Sequence, residues 1–93
     1  MAWKEMNIEE LAESLGVNAI EVREKQKLIE LIVKTRKKKG LSQAALAKKA
    51  SVSQSRIAQV ESGVGTHRIT FDVLLNILVL LGFDFKISAR KIA

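Results

Sequence analysis

Only three residues, Ser51-Val52-Ser53, separate two short predicted helices, and this connection constrains the fold more than any other feature of the sequence. Ser42 suits the N-cap of a helix from residue 43 to about residue 50, and Ser53 suits that of a helix from residue 54 to about residue 62. Because the turn is so short, the two helices must cross at a steep angle. We expect one face of the second helix to lie in a shared core and the opposite face to point outward.

The outward face of the second helix is polar. Small or apolar residues stand where the two helices would share a core: Leu46, Ala47, Val52, Ile57 and Val60. A plain helical hairpin explains those positions equally well, but it does not explain the amide, hydroxyl and guanidinium groups beside a lysine block. Glutamine reads the N6/N7 edge of adenine and arginine the O6/N7 edge of guanine, in both cases through bidentate hydrogen bonds. The pattern therefore favours double-stranded DNA as the partner, with bases read from a face that carries Gln54, Ser55, Arg56, Gln59 and Ser62.

The charges of the chain are arranged in blocks. Residues 1–24 hold two Lys or Arg and six Glu, whereas residues 25–56 hold ten Lys or Arg and a single Glu. A basic centre favours a polyanion, because each neutralised phosphate releases counterions. Lysines can also merely solubilise a surface, but such a surface would spread its charge along the chain. We expect phosphate contacts from Lys37, Lys38 and Lys39 and, in the following loop, from His67 and Arg68, although His67 has a plain alternative as an exposed loop residue.

Several kinds of site are excluded by composition. The chain has no cysteine and a single histidine, which rules out a cysteine-based zinc site and a thiol nucleophile and makes a Ser-His-Asp triad hard to assemble. We therefore expect no enzyme activity, no metal and no cofactor. The longest apolar stretch, residues 73–81, is interrupted by Asn76 and is too short to cross a bilayer. With no apolar signal segment at the start, these features predict a cytoplasmic protein that is not bound to a membrane.

Caps and apolar periods predict three further helices in a single domain, residues 1–93. They run over residues 8–15, over residues 19 to about 39, and over residues 71 to about 81. Each follows an Asn or Thr that suits an N-cap, and each is followed by a glycine. The first of them lies within the acidic N-terminal extension, residues 1–24. The expected fold class is all-α with five helices.

The C-terminal part of the chain predicts a homodimer. The last helix is apolar almost all round, so a second surface must cover what its own small core does not. Residues 83–90 then change to an alternating pattern typical of a half-buried strand, whose backbone also needs a partner. A second copy, related by a two-fold axis, would supply both; alternatively, the N-terminal helix covers the last helix. The expected interface residues are Leu78, Leu81, Phe83, Phe85 and Ile87.

Three spaced elements together resemble a known family. They are Gly40-Leu41-Ser42-Gln43-Ala44-Ala45-Leu46-Ala47, then Val52-Ser53-Gln54-Ser55-Arg56-Ile57, then Val60-Glu61-Ser62-Gly63. In this order, and over about residues 28–82, the chain resembles the XRE helix-turn-helix family of phage and bacterial repressors. The resemblance implies a five-helix, lambda-repressor-like DNA-binding domain that acts as a dimer on a palindromic operator. The expected function is a sequence-specific transcriptional repressor that regulates its own gene.

The resemblance also implies roles for individual residues. It places the polar positions of the second helix of the motif in the major groove. Gln43 is expected to contact phosphate and to brace this recognition helix, and we expect Ser53 to join the phosphate contacts. Arg36 is expected to pair with Glu61, which makes Glu61 structural rather than DNA-contacting.

One position departs from the family pattern. The turn of the motif usually contains a glycine, because its backbone takes a positive φ, whereas this chain has Ser51. A residue with a Cβ is strained there by roughly 1 kcal/mol.

The flanking segments resemble a narrower group, the HigA-like antitoxins. The likeness lies in the acidic leading helix, in residues 68–75 and in the trailing Leu81-Gly82-Phe83. It supports a second hypothesis, an antitoxin that neutralises a toxin enzyme through direct protein contact, because an acidic segment over residues 8–22 would suit a basic partner. Alternatively, the apolar residues of that segment simply cover the core of the dimer. The two functions are compatible, since such antitoxins commonly repress their own promoter.

Overall fold

The computed structural model describes residues 19–91, and this part of the chain is all-helical. It contains α1 (Ala19–Lys38), α2 (Gln43–Ala50), α3 (Gln54–Ser62), a single 3-10 turn (Thr66–Arg68) and α4 (Phe71–Leu80). The predicted all-α fold with a helix-turn-helix is thereby confirmed, and the described residues contain four of the five expected helices. The helix expected over residues 8–15 lies outside the described residues.

Serine and threonine hydroxyls begin three of these helices, as their positions in the sequence predict. The Ser42 hydroxyl accepts a hydrogen bond from the Ala45 amide at 2.9 Å, and that of Ser53 accepts one from the Arg56 amide at 3.0 Å. The Thr70 hydroxyl does the same for α4. Each hydroxyl satisfies one of the amides that have no partner within the first turn of a helix. Local chemistry therefore sets where α2, α3 and α4 begin.

The core lies where all four helices meet. Its fully buried side chains are Ile32 from α1, Leu46 from α2, Ile57 and Val60 from α3, Ile69 from the loop, and Leu74 and Leu78 from α4. Along α1 the most buried positions are Lys25, Ile29, Ile32 and Arg36, which follow one helical face. Burial of Ile57 and Val60 turns the opposite side of α3 towards solvent.

The apolar helix α4 is largely covered by its own chain. Leu78 is 0% exposed and Leu81, just after the helix, is 2% exposed. Both side chains, expected at a dimer surface, are therefore enclosed by the core of the single chain, and their part in an interface stays a prediction. The apolar side chains that α4 leaves open are Val79, 54% exposed, and Leu80, 41% exposed.

The segment after α4 does not form the expected strand. Phe83 and Phe85 pack partly buried against the core, whereas Ile87 is 85% exposed. The Phe83 amide donates to the Leu78 carbonyl at 3.0 Å and so ends α4, and the Phe85 amide donates to the Asp84 carboxylate at 2.8 Å. Two amides that a β-ladder would need are therefore already bonded, and the residues that the structure describes contain no strand to pair with.

The connection between α2 and α3 contains the strained residue that the sequence predicts. Ser51 has φ +56° and ψ +39°, and it is the one residue other than glycine with a positive φ in the described part of the chain. Its amide donates to the Lys48 carbonyl at 3.2 Å, and the next amide, of Val52, donates to the Ala47 carbonyl at 3.0 Å. This pair of bonds is the Schellman end of a helix, where glycine is the usual residue.

Replacing Ser51 with glycine should therefore stabilise the protein. Glycine adopts this conformation without a Cβ penalty, so we expect Ser51→Gly to raise the free energy of unfolding by about 1 kcal/mol, seen as a higher melting temperature. Ser53→Gly is the matched control, because Ser53 has φ −74° and its hydroxyl caps α3. That variant should be no more stable than the wild type, and a fall in melting temperature for Ser51→Gly would contradict the strain.

Candidate nucleic-acid interface

The helix α3 presents a polar face to solvent on the side away from the core. Gln54, Ser55 and Gln59 are exposed and Arg56 is half-buried. Ile57 and Val60, on the opposite side, are each 1% exposed. The four side chains proposed from the sequence to read bases therefore lie together on the accessible side of one short helix.

An ion pair fixes α3 to the end of α1. The Arg36 guanidinium donates from Nε to Glu61 Oε2 at 2.6 Å and from Nη2 to Oε1 at 2.9 Å, so the pair is bidentate. A third guanidinium nitrogen, Nη1, donates to the Leu41 carbonyl at 2.8 Å. The two charged side chains are 11% and 6% exposed. Planar two-point contact between buried side chains fixes their relative orientation as well as their distance.

The helix α2 is bound to the same carboxylate. The Gln43 amide, in the first turn of α2, donates from Nε2 to Glu61 Oε1 at 3.0 Å. Gln43 thus braces α3 through the oxygen that also accepts from Arg36, and the half-buried Gln43 lies next to the exposed start of α2. Ser53, expected at a phosphate, is exposed, and its oxygen is occupied as an acceptor by the Arg56 amide while its O–H remains a donor.

Glu61 is held in its ionised form. Burial by itself raises the pKa of the Glu61 carboxyl, but hydrogen bonds from Arg36 and Gln43 and the positive charges of Arg36 and Lys37 outweigh it. The net effect lowers the pKa of Glu61 from its ordinary value of 4.5. A carboxylate that accepts three hydrogen bonds from neighbouring helices is a structural group, which leaves the remaining polar side chains of α3 to face a ligand.

The cations expected at phosphates fall into two groups. Three lysines are exposed at the end of α1 and just after it: Lys37, Lys38 and Lys39. Lys39 Nζ lies beside Gly82, 3.7 Å from the position that a Cβ on this glycine would occupy. His67 and Arg68 lie in the 3-10 turn, which contacts α1 near its start. Since α1 rises ~1.5 Å per residue, Lys25 and Lys37 are roughly 18 Å apart along its axis. The two groups thus lie near opposite ends of α1.

Lys25 supports the 3-10 turn that carries His67 and Arg68. Sequence reasoning missed this role, because it counted Lys25 only as one of the ten cations of residues 25–56. Its side chain is 4% exposed, and Nζ lies 3.5 Å from the His67 carbonyl, 3.5 Å from Glu21 Oε2 and 5.3 Å from the centre of the Phe71 ring. These contacts tie the 3-10 turn and the start of α4 to α1. The signal was present in the spacing 25, 29, 32 and 36, which places Lys25 on the same helical face as two buried isoleucines.

A shallow cleft lies beside the polar face of α3. Its volume is about 170 Å³, and Arg56 and Asn76 are the polar residues at its edge. The remaining lining residues are apolar and come from the end of α2, from the turn and from α3 and α4: Ala50, Val52, Ile57, Val60, Val73, Ile77 and Leu80. Among the described residues, no group of side chains is arranged to hold a metal ion, and no helix is long and apolar enough to cross a membrane.

The Arg36–Glu61 pair predicts a pH-dependent contribution to stability. Glu61→Gln leaves Arg36 buried without an anionic partner, and we expect it to lower the free energy of unfolding at pH 7 by ~3 kcal/mol. The pKa of Glu61 is lower in the folded state than in the unfolded state. The stabilisation by the ion pair is therefore complete above pH 4.5 and is lost as the pH falls through the pKa of the folded state. The difference in unfolding free energy between wild type and Glu61→Gln, measured in urea, should therefore shrink as the pH is lowered below 4.5.

Glu24→Gln is the matched control for this measurement. Glu24 pairs with Lys27 at 3.0 Å, but both side chains are at least half exposed, and exposed pairs contribute less than ~1 kcal/mol. Equal losses in the free energy of unfolding for Glu24→Gln and Glu61→Gln at pH 7 would show that the buried pair does not hold α3 in place.

Comparison with known proteins agrees with this geometry. A family profile described as helix-turn-helix matches residues 32–87, a region that contains α2, α3 and α4 completely. No curated protein and no solved structure matches the chain. The matched family is one of DNA-binding proteins and not a catalytic one. With its serine-capped helices, its short turn and its braced, polar α3, the chain belongs to the XRE-type helix-turn-helix family of DNA-binding transcriptional regulators.

Proposed function

We propose that this chain is a sequence-specific transcriptional repressor that binds a palindromic operator as a homodimer and regulates its own gene. One observation carries the proposal: the exposed polar face of α3 is held rigidly by hydrogen bonds from Arg36 and Gln43 to Glu61. A recognition helix must be fixed in this way, because base-specific hydrogen bonds require donors and acceptors at set positions.

In the proposed complex α3 lies in the major groove. The face turned to the bases carries the exposed Gln54, Ser55 and Gln59 and, at its edge, the half-buried Arg56. Contacts to the phosphates position the domain, and they come from Gln43 and Ser53 near the starts of α2 and α3, from Lys37, Lys38 and Lys39, and from His67 and Arg68. Because the two cationic groups lie near opposite ends of α1, they are suited to backbones on opposite sides of a groove about 12 Å wide.

The homodimer is proposed from the apolar surface that the single chain leaves open. Val79 and Ile87 are 54% and 85% exposed, and Phe83 and Phe85 are only partly buried. Side-by-side packing of this apolar surface against that of a second copy would remove these side chains from water. A two-fold axis would then place two recognition helices one DNA turn apart, about 34 Å.

Antitoxin activity is a second candidate, and the acidic segment of the sequence favours it. Residues 1–24 hold six Glu against two Lys or Arg, a charge that is repelled by DNA. A basic toxin enzyme would be the complementary partner. Co-expression with the product of the neighbouring gene tests this candidate, since a stable complex with a small basic protein supports it and separate elution of the two proteins contradicts it.

The salt dependence of DNA binding tests the repressor proposal directly. The duplex just upstream of the gene should bind at least ~10³-fold more tightly than a scrambled duplex of equal length, and binding to both should weaken steeply as salt is added. Equal, weak binding of both duplexes would reduce the basic centre to a non-specific electrostatic contact and would leave the protein-partner role as the better hypothesis.

Two substitutions should separate base reading from phosphate contact. Gln54→Ala should weaken binding to the native duplex by about 5- to 100-fold and relax selection at one base pair, with little effect on the scrambled duplex. Lys38→Ala should weaken binding to both duplexes alike and reduce the slope of log K against log salt by about 1. Both side chains are exposed, so melting temperatures should stay unchanged. Equal losses on both duplexes for both variants would contradict the proposed division of roles.

Sedimentation equilibrium tests the homodimer. The wild type should be a dimer at micromolar concentration, whereas Val79→Glu and Ile87→Glu should be monomers with an unchanged fold. In the single chain the new carboxylate stays in water, and only the proposed interface would bury it. Val64→Glu is the matched control, since Val64 is 71% exposed in the loop before the 3-10 turn. A monomeric wild type, or dimers in all three variants, would refute this interface.

A further inference from the structure

Arg56 differs from the other polar residues of α3 in being partly withdrawn from solvent. It is half-buried and borders the apolar cleft, whereas Gln54, Ser55 and Gln59 are exposed. Its position lies between the buried face, marked by Ile57, and the exposed face of the helix. An arginine at such an edge packs its aliphatic stem on apolar surface and keeps its guanidinium in water.

The guanidinium meets the side chain of Gln59. Arg56 Nη1 donates to Gln59 Oε1 at 3.3 Å, one helical turn further along α3. Because a guanidinium has only donors, the atom of Gln59 that it meets is the amide oxygen, and the amide NH₂ is left as the free end. Residues three apart on a helix are neighbours, so this contact forms without any change in the backbone.

This hydrogen bond changes what Gln59 offers to DNA. A free glutamine reads adenine by accepting from N6 and donating to N7, which uses both ends of the amide. Arg56 donates to one of the two lone pairs of the oxygen and so holds that end of the amide towards the arginine, which leaves the NH₂ with its two donors as the end turned to a base. Guanine is the base whose major-groove edge carries two neighbouring acceptors, N7 and O6, and no donor.

We propose that Arg56 is a positioning residue that fixes the Gln59 amide as a donor, so that Gln59 selects guanine and not adenine. This inference rests on the proposed function, in that α3 must read bases for the orientation to matter. Gln54, which is exposed and has no such arginine contact among the hydrogen bonds of α3, keeps both ends of its amide for adenine. The two glutamines of one recognition helix thereby acquire different base preferences.

Selection of bound duplexes from a randomised library, followed by sequencing, tests the inference in the full chain. Gln59→Ala identifies the base pair that Gln59 contacts, as the one whose preference disappears; Gln59 is exposed, so this change leaves the core intact. In the wild type that base should be guanine. In Arg56→Met, which keeps the apolar stem and removes the donors, the preference there should shift towards adenine by about tenfold. In the double variant it should match that of Gln59→Ala alone.

Other outcomes overturn the inference. An adenine preference in the wild type, or an unchanged guanine preference in Arg56→Met, would show that the arginine does not orient Gln59. A preference lost at a different base pair, and equally lost in the double variant, would show that Arg56 reads a base itself. In each of these cases the wild type still selects sequence, so the proposed function stands; a wild type without any base preference would contradict the proposed function as well.

A second measurement follows the binding of wild-type protein to a modified duplex and therefore does not depend on how Arg56→Met folds. At the base pair identified by Gln59→Ala, guanine is replaced with 7-deazaguanine, which lacks the N7 acceptor. Binding should weaken about tenfold, whereas the same replacement outside the bound site should have no effect. Unchanged binding after replacement at the identified base pair would overturn donation from Gln59 to guanine N7.

Discussion

The carboxylate of Glu61, near the end of α3, is the point at which three helices are joined. Arg36 of α1 and Gln43 of α2 both donate to it, within 2.6–3.0 Å. A buried ion pair of this kind contributes little net stability, because desolvation of the two charges offsets most of their attraction. Its consequence is geometric, because an arrangement of the helices that separates Arg36 from Glu61 leaves a buried charge unpaired. The direction in which α3 presents its polar face therefore depends on this one contact.

The long helix α1 has a buried cation at each end of its inner face. Lys25 binds the 3-10 turn and the start of α4, and Arg36 binds α3 and the carbonyl before α2, while Ile29 and Ile32 fill the core between them. The apolar residues supply the burial that stabilises a domain of this size. The two cations decide which segments lie at which end of α1, and so where the two groups of proposed phosphate contacts stand relative to α3.

Neighbouring apolar residues of α4 and of the segment after it differ sharply in burial. Leu78 and Leu81 are needed by the domain itself, whereas Val79 and Ile87 remain open to a second copy. The helix pattern could not distinguish these neighbours, because a helix that is apolar all round has no polar side to mark its outer face. The alternating pattern after Gly82 was equally ambiguous. Partial burial of Phe83 and Phe85 accounts for it in the single chain, without a strand.

The sequence by itself determined the helix ends, the turn and the composition of the recognition face. N-cap hydroxyls, glycines after helices and the strained Ser51 act within a few residues, so their effect can be inferred without knowledge of the fold. The Arg36–Glu61 pair, 25 residues apart, was inferred only from resemblance to a family. Tertiary structure alone decided that Lys25 is buried, that Leu78 belongs to the core, and that the Phe83 amide ends α4. Each of these outcomes depends on which distant segment packs alongside, and no local preference encodes that.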